Sequence, residues 1–226
     1  MADQLYKREK ERREKRKTAF LKERSEIWLF VCEGTKTEPN YLQSLIGYAN
    51  QLSEESPIKA EIKGVGKNTE SLINSVNNFF DCTDEFNAKK QGIPYSKVFV
   101  LFDKDSFEPK QFDNAIIMAE NRGYIPIWSN ECFELWYILH YDYYSSDNGR
   151  QSYFDRLSKL LKVKYDKAED IFSIITTDKR LKQAIQYSRK LDCEFTCEKS
   201  PSKKVPCTQM FKLIEEIEKR LRIKLG

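Results

Sequence analysis

The chain has 226 residues, of which 40% are hydrophobic, so it can bury one substantial core and is not disordered throughout. Its 39 Lys and Arg nearly balance its 35 Asp and Glu, so a nucleic-acid-binding surface would have to come from where the charges lie and not from the net charge of +4. It has neither an apolar run of the roughly 18 residues that a membrane span needs nor the apolar segment of a secretory signal, which predicts a cytoplasmic protein without membrane association.

The first segment, residues 7–17, reads KREKERREKRK and contains eight basic, three acidic and no apolar residues. Because it has no apolar face to bury, the pattern predicts a solvated helix or a disordered arm, which we place at residues 1–24. The basic excess would give it affinity for a polyanion, although a merely solvated arm explains the pattern equally well.

The next part, residues 25–145, alternates between strand-like and helical patterns. Apolar runs rich in β-branched and aromatic residues predict four strands, at residues 26–33, 58–65, 97–103 and 124–128. The segments between them have helical periodicity. This order predicts a mostly parallel, Rossmann-like α/β sheet with right-handed crossovers and flanking helices. We expect the first helix to begin near Thr37, which can cap it, and the second to begin after Asn68.

The rest of the chain has mainly helical patterns. Residues 129–141 carry an aromatic and aliphatic stripe that predicts a largely buried helix. Helical periodicity then continues without a further convincing strand in four segments, at residues 153–161, 171–175, 181–191 and 210–225. We therefore predict that residues 146–226 form a helical lobe that packs on the core.

Six cysteines occur in the chain. Without a secretory signal, a disulfide framework is not expected, and free thiols are the favoured interpretation. A zinc site is the alternative, because Cys193, Cys197 and Cys207 lie close together in sequence, but their spacing matches no compact zinc motif.

Carboxylates follow two of the predicted strands. Glu33 comes at the end of the first strand, and Asp103 and Asp105 come at the end of the third. The carboxyl ends of parallel strands meet at the edge of the sheet where open α/β folds bind ligands, and the two Asp side chains of an extended Asp-x-Asp point the same way. Any one of these acids alone is more often a helix cap or a surface residue. Three of them together would repel one another unless a cation entered, which predicts a Mg²⁺ or Mn²⁺ site.

Further residues near these strand ends could complete a site. Three lysines could contact a phosphate, although solvated surface lysines are commoner: Lys36, Lys67 and Lys104. The GVGKN turn at residues 64–68 could hold a phosphate on its N–H groups, but an ordinary strand-to-helix turn is favoured. We interpret Glu38 as a first-turn acid that complements the helix dipole, and not as a ligand. Glu134 could reach the same edge, whereas a lone histidine such as His140 is more often packed or capping than catalytic.

At these residues the chain resembles the RloB family of phage-defence proteins, known also through the AbiL abortive-infection systems. The similarity runs from about residue 28 to residue 214 and is carried by three stretches: VCEGTKTEPNYLQSL, VFVLFDKDSF and SNECFELWYILHY. A fourth, weaker stretch is SKKVPCTQMFKLIEEI. The family looks like a member of the Toprim superfamily, whose nucleases, primases and topoisomerases share a Glu on the first strand and an Asp-x-Asp after a later strand around Mg²⁺.

The resemblance implies a Mg²⁺-dependent nuclease that hydrolyses phosphodiester bonds of DNA or RNA in a bacterial anti-phage system. Glu33 would act as general acid/base or metal ligand, and Asp103 and Asp105 would bind the metal. In the mechanism that we expect, Lys36 or Arg and Lys residues nearby neutralise the phosphate. Glu134 and His140 lie in the third stretch and are therefore implied as active-site residues. The resemblance also implies a partner ATPase of the ABC or SMC type that gates the nuclease.

The alternative is a non-catalytic subunit of the same defence system that senses nucleic acid or binds the ATPase. The choice between DNA and RNA is left open, as is the oligomeric state, a homo-oligomer included.

Overall fold

The structure is a computed structural model that describes residues 8–16, 27–80, 95–177 and 179–225. The strands are β1 (Ile27–Cys32), β2 (Lys59–Gly64), β3 (Lys97–Asp103), β4 (Ile125–Asn130) and β5 (Cys207–Thr208). The helices are α1 (residues 8–16), α2 (Thr37–Leu52), α3 (Thr69–Ser75), α4 (Pro109–Asn121), α5 (Glu134–Leu139), α6 (Arg150–Leu161), α7 (Phe172–Ile175), α8 (Arg180–Glu194) and α9 (Met210–Leu221). Two 3₁₀ turns lie at Val76–Phe79 and Pro201–Lys203.

The five strands form one sheet in the order β2-β1-β3-β4-β5, which makes this a mixed α/β fold of the Rossmann-like kind. Strands β1 to β4 are parallel to one another, as the alternating sequence pattern predicted, and β5 is antiparallel to β4. The central strands β1 and β3 are buried on both faces, and this explains why they read as continuous apolar runs and not as alternating ones.

The short strand β5 was not predicted from the sequence. It contains only two residues, and they pair with Ser129 and Asn130 of β4. A segment of this length carries no period that a pattern could reveal. Because β4 continues to Asn130, the helix predicted over residues 129–141 begins only at Glu134, and that part of the prediction was wrong.

Helices cover both faces of the sheet. On one face, α3 and α4 bury residues such as Leu72 and Phe112 against β1 and β3. On the other face, α2 and the C-terminal helices share one hydrophobic cluster with the sheet, which joins Phe30 and Phe99 to Trp136 and Ile214. The C-terminal helices are therefore packed directly against the strands, and this brings their residues to the strand ends.

The charged N-terminal segment is helical over residues 8–16, and every residue of this helix is exposed. This agrees with the solvated helix among the two predicted alternatives. Lys7, Lys17 and Cys82 lie outside the described residues. None of the described helices combines the length and apolar composition that a membrane span requires.

Candidate active site

A cleft of about 430 Å³ opens at the carboxyl ends of β1 and β3. Five carboxylates border it: those of Glu33, Glu38, Asp103, Asp105 and Glu134. Four cationic side chains border it as well: Lys36, Lys67, Arg150 and Lys167. The cleft therefore combines acids that could hold a cation with cations that could hold a phosphate.

Glu33 and Asp103 are neighbours because β1 and β3 are adjacent and parallel. The Glu33 N–H donates to the carbonyl of Leu101 at 2.9 Å and continues the pairing of the two strands by one residue. The Glu33 carboxylate in turn accepts the N–H of Asp103 through Oε2 at 3.2 Å. The structure thus brings the two acids together at the edge of the sheet where the sequence placed them.

Asp105 borders the same cleft, but not for the reason that the sequence suggested. Strand β3 ends at Asp103, and Asp105 lies in a turn with φ of 42°, a left-handed conformation that Asp tolerates better than most residues. The two Asp side chains therefore do not share an extended strand face. The Asp105 carboxylate forms an ion pair with Arg150.

Lys104 donates to the Asp105 carbonyl at 3.4 Å and is not among the residues that border the cleft.

Glu38 is buried in the cleft, with only 5% of its surface exposed. Its Oε1 accepts the N–H of Gly34 at 3.2 Å, and a Cβ added to Gly34 would lie 2.1 Å from its Oε2. Only glycine leaves room for this contact. Glu38 is an acid in the first turn of α2, as predicted, and its side chain also turns back toward the strand end.

The start of α2 also differs from the prediction. The helix begins at Thr37 as expected, but Thr37 does not cap it. Its Oγ1 donates instead to the carbonyl of Lys167, at 3.1 Å. The second turn that borders the cleft, at residues 64–68, uses the Gly66 N–H to bind the carbonyl of Glu33 at 2.9 Å, so this donor is not available to a phosphate.

Glu134 comes from α5 and is 1% exposed. Its Oε1 accepts the hydroxyl of Tyr165 at 3.2 Å and lies 3.3 Å from the ammonium of Lys167. Its Oε2 is buried and has no hydrogen-bond partner among the described residues. A buried carboxylate oxygen without a partner is costly, which makes this atom a candidate ligand for a cation.

The acids of the cleft perturb one another. Burial, with Glu38 and Asp105 nearby, raises the pKa of Glu33 to about 7. Burial and the charges of Glu38, Glu134 and Glu33 raise the pKa of Asp103 well above its usual range. Burial also raises the pKa of Glu38, with Glu134 adding to the effect. Groups with perturbed pKa values gathered in a cleft are typical of functional sites.

His140 lies away from this cleft. It is fully buried at the end of α5, where Nδ1 lies 2.9 Å from the carbonyl oxygen of Trp136 and the ring packs edge-on against the Trp136 ring. Burial lowers the pKa of His140 to about 3, so the ring is neutral near pH 7. This position fits the packing role that the sequence favoured for a lone histidine.

Three residues of the site lie in the C-terminal part and were missed in the sequence: Arg150, Tyr165 and Lys167. Arg150 begins α6, and the other two lie in the loop between α6 and α7. They carry no local signal, because only long-range packing brings them beside Asp105 and Glu134. Cys193, Cys197 and Cys207 are free thiols, as the favoured interpretation held, and within the described part of the chain they form no group that could hold zinc.

We compared the chain with profiles of known protein families, and one profile covers nearly all of the described chain, including this site. The profile of the family described as RloB-like protein matches residues 6–217. The chain belongs to this family. No match was found among curated proteins or among solved structures. The matched residues include every acid and cation that borders the cleft, from Glu33 to Lys167.

Proposed function

We propose that this RloB-like protein is a divalent-metal-dependent nuclease that acts on phosphodiester bonds of DNA or RNA in a bacterial anti-phage system. One observation carries the proposal: acids from two neighbouring strand ends and two helices gather with four cations in a single cleft. The arrangement of Glu33 beside Asp103 and Asp105 also fits the acids that the resemblance to Toprim nucleases implies.

The donor chemistry of the cleft fits a hard divalent cation. All five acids offer oxygen ligands, which Mg²⁺ and Mn²⁺ prefer. Burial, with neighbouring acids adding to the effect, raises the pKa values of Glu33 and Asp103, and Oε2 of Glu134 has no partner among the described residues; a divalent cation would favour the charged carboxylates and supply that partner. Among the described residues, however, no three His, Cys, Asp or Glu side chains are already arranged to hold a metal. Ligation would therefore require the carboxylates to turn toward the ion.

We assign the metal to Glu33, Asp103 and Asp105, with Glu38 and Glu134 beside them. When bound, a divalent cation supplies activation of water and polarisation of a phosphoryl oxygen. If Asp103 and Asp105 hold the metal without Glu33, the Glu33 carboxylate would be the group that accepts a proton from the attacking water.

Lysines at the rim of the cleft supply the first contacts with the substrate. Lys36 and Lys67 are exposed there, and we assign them to backbone phosphates. Lys104 has no such position, and His140 is too far inside the core to meet a substrate.

The proposal includes a partner ATPase of the ABC or SMC type that gates the nuclease. This part rests on the family resemblance alone.

A non-catalytic role in nucleic-acid sensing or ATPase binding is the second candidate. One observation favours it: Arg150 and Lys167 already pair with Asp105 and Glu134, so part of the acidic charge is neutralised without a metal.

The test is a cleavage assay with the full-length protein. DNA and RNA substrates are incubated with Mg²⁺ or Mn²⁺, with and without a candidate partner ATPase of the ABC or SMC type, and Mn²⁺ binding is measured in parallel. We expect Asp103→Asn to abolish both cleavage and Mn²⁺ binding while circular dichroism shows an intact fold. The matched control is Asp155→Asn, which removes an exposed acid of α6 and should change neither. Cleavage by Asp103→Asn at the wild-type rate would show that the activity does not come from this cleft, and no cleavage by the wild type in any arm would favour the non-catalytic role.

A further inference from the structure

Two cations of the cleft share one aromatic ring. The Arg150 guanidinium carbon lies 5.6 Å from the centroid of the Phe154 ring, and the Lys167 ammonium lies 4.8 Å from it. Arg150 and Phe154 are one turn apart on α6, so they project from the same side of the helix. The unit formed by Arg150, Phe154 and Lys167, which we call the cation platform, contacts the acids through the ion pairs of Arg150 with Asp105 and of Lys167 with Glu134.

The loop that carries Lys167 is fastened to α2. Three side chains on one face of α2 donate hydrogen bonds to it: Thr37 Oγ1 to the Lys167 carbonyl (3.1 Å), Asn40 Nδ2 to the Ala168 carbonyl (3.2 Å) and Ser44 Oγ to the Asp170 carboxylate (2.5 Å). Because α2 also carries Glu38, the platform is held at a fixed position relative to the acids. Such support by neighbouring hydrogen bonds is what a binding site needs.

The platform has donors that the protein does not use. Arg150 presents five N–H donors, of which Nη1 binds Asp105. Its Nε is buried and has no acceptor among the described residues. Lys167 makes one ion pair, with Glu134, and retains further N–H donors. If Arg150 only neutralised Asp105, leaving its Nε–H buried without an acceptor would be an unnecessary cost.

A phosphate supplies the acceptors that this arrangement lacks. The fork of an arginine binds two oxygens of one phosphate, and an ammonium beside it adds a third contact. A divalent cation on the facing carboxylates would also replace Arg150 and Lys167 as their counter-charge, which leaves both side chains able to turn toward an anion.

We propose that the cation platform is a phosphate-binding subsite that holds one backbone phosphate of a nucleic acid strand beside the acidic half of the cleft. The choice of a nucleic acid as the source of the phosphate rests on the proposed function. A free nucleotide offers the same chemistry, so the test includes it.

Binding is measured by fluorescence anisotropy with a labelled single strand of about 16 nucleotides, in Ca²⁺, so that the carboxylates have a counter-ion, and in EDTA as the metal-free arm. We expect Arg150→Gln and Lys167→Gln each to weaken binding about tenfold, the loss typical of one charge-assisted hydrogen bond. The slope of log affinity against log salt should fall by about 0.7 in the double variant, which is the value for one lost phosphate contact on a single strand. The matched control is Lys164→Gln, which removes an exposed positive charge near the same loop and should have little effect.

A charge-preserving variant separates phosphate binding from simple neutralisation. Arg150→Lys keeps the positive charge beside Asp105 but loses the planar fork. If Arg150 binds a phosphate, this variant should weaken probe binding about fivefold or more while the melting temperature changes little. Wild-type affinity in Arg150→Lys together with wild-type affinity and salt slope in the double variant would overturn the proposal.

Two further arms identify the source of the phosphate and keep the test of the subsite separate from the test of the proposed function. We expect inorganic phosphate and ADP to displace the probe only at millimolar concentration, and displacement by micromolar ADP would overturn the assignment to a nucleic acid backbone. Mn²⁺ binding and its loss in Asp103→Asn are recorded separately. A protein that binds Mn²⁺ and cleaves but is indifferent to Arg150 and Lys167 refutes the subsite alone, whereas absence of metal binding and cleavage refutes the nuclease.

Discussion

Replacing Glu33 by Gln should stabilise the metal-free protein. The cleft raises the pKa of Glu33 from its ordinary 4.5 to about 7, so the charged form of Glu33 is disfavoured in the folded protein. Each pKa unit corresponds to about 1.36 kcal/mol, which gives a penalty of the order of 3 kcal/mol at pH 8. The carbonyl oxygen of Gln can still accept the N–H of Asp103, so the variant removes the charge and keeps this hydrogen bond. Because the site is partly open to water, we expect a net gain of about 1–3 kcal/mol in the free energy of unfolding.

The gain should depend on pH in a defined direction. Between pH 4.5 and about 7 the unfolded chain releases the Glu33 proton while the folded protein keeps it, so wild-type stability falls as the pH rises through this window. Below pH 4.5 both states are protonated, and the contribution of Glu33 to stability is fully present. The advantage of Glu33→Gln over the wild type should therefore be largest at pH 8 and should nearly vanish near pH 4.

Urea denaturation in EDTA at pH 8 and at pH 4 measures both values. Glu54→Gln is the matched control, since Glu54 is exposed in the loop after α2 and should give no gain at either pH. Addition of Mn²⁺ at pH 8 should stabilise the wild type more than Glu33→Gln, because the carboxylate is a proposed ligand. A variant that is less stable than the wild type at pH 8, or that gains equally at both pH values, would refute the electrostatic account of this cleft.

Two other substitutions distinguish residues that act in the site from residues that only pack near it. Gly34→Ala places a methyl group where the Glu38 carboxylate lies, so the Mn²⁺ affinity measured by calorimetry should fall. The control is Gly47→Ala, which lies in open space on the same helix as Glu38 and should leave the affinity unchanged. Equal affinities of the two variants would mean that the position of Glu38 does not affect metal binding. His140→Ala should lower the free energy of unfolding by about 2 kcal/mol or more through the lost packing, yet reduce cleavage per folded molecule far less than Asp103→Asn. The lowered pKa of His140 also predicts that its contribution to stability is lost as the pH falls from about 6.5 toward 3. A His140→Ala protein as inactive as Asp103→Asn, with metal binding intact, would make the histidine catalytic.

The sheet was predictable because its signal is local. Strands β1 and β3 are buried on both faces, so each is a continuous apolar run that ends at a polar residue. The same fact places Glu33 and Asp103 at one edge, since adjacent parallel strands end together. Asp105 was predicted correctly as a neighbour of the cleft, but the turn that places it there follows from contacts with Arg150 and the Glu131 carbonyl, which strand periodicity does not contain.

The rest of the site was not predictable because it depends on tertiary packing. Glu38 follows a glycine turn and could equally have faced solvent, and only the close approach of Gly34 shows that it folds back into the cleft. Lys167 is one of many lysines in the C-terminal part, and no spacing distinguishes it. Its position follows from hydrogen bonds to α2 across 130 residues of sequence, a separation at which no periodic pattern operates.

The aromatic residues of the third stretch explain how so much acidic charge stays in one cleft. Mutual repulsion of the buried acids opposes folding, so other contacts must hold α2 and α5 together. The Tyr41 ring of α2 makes edge or tilted contacts with three rings from that stretch: Phe133 at 5.7 Å, Trp136 at 6.4 Å and Tyr137 at 5.6 Å between centroids. It also packs against Phe172 of α7 at 5.4 Å. This cluster holds α2, which carries Glu38, against α5, which carries Glu134, so the stripe that reads as core in the sequence is also what positions the chemistry.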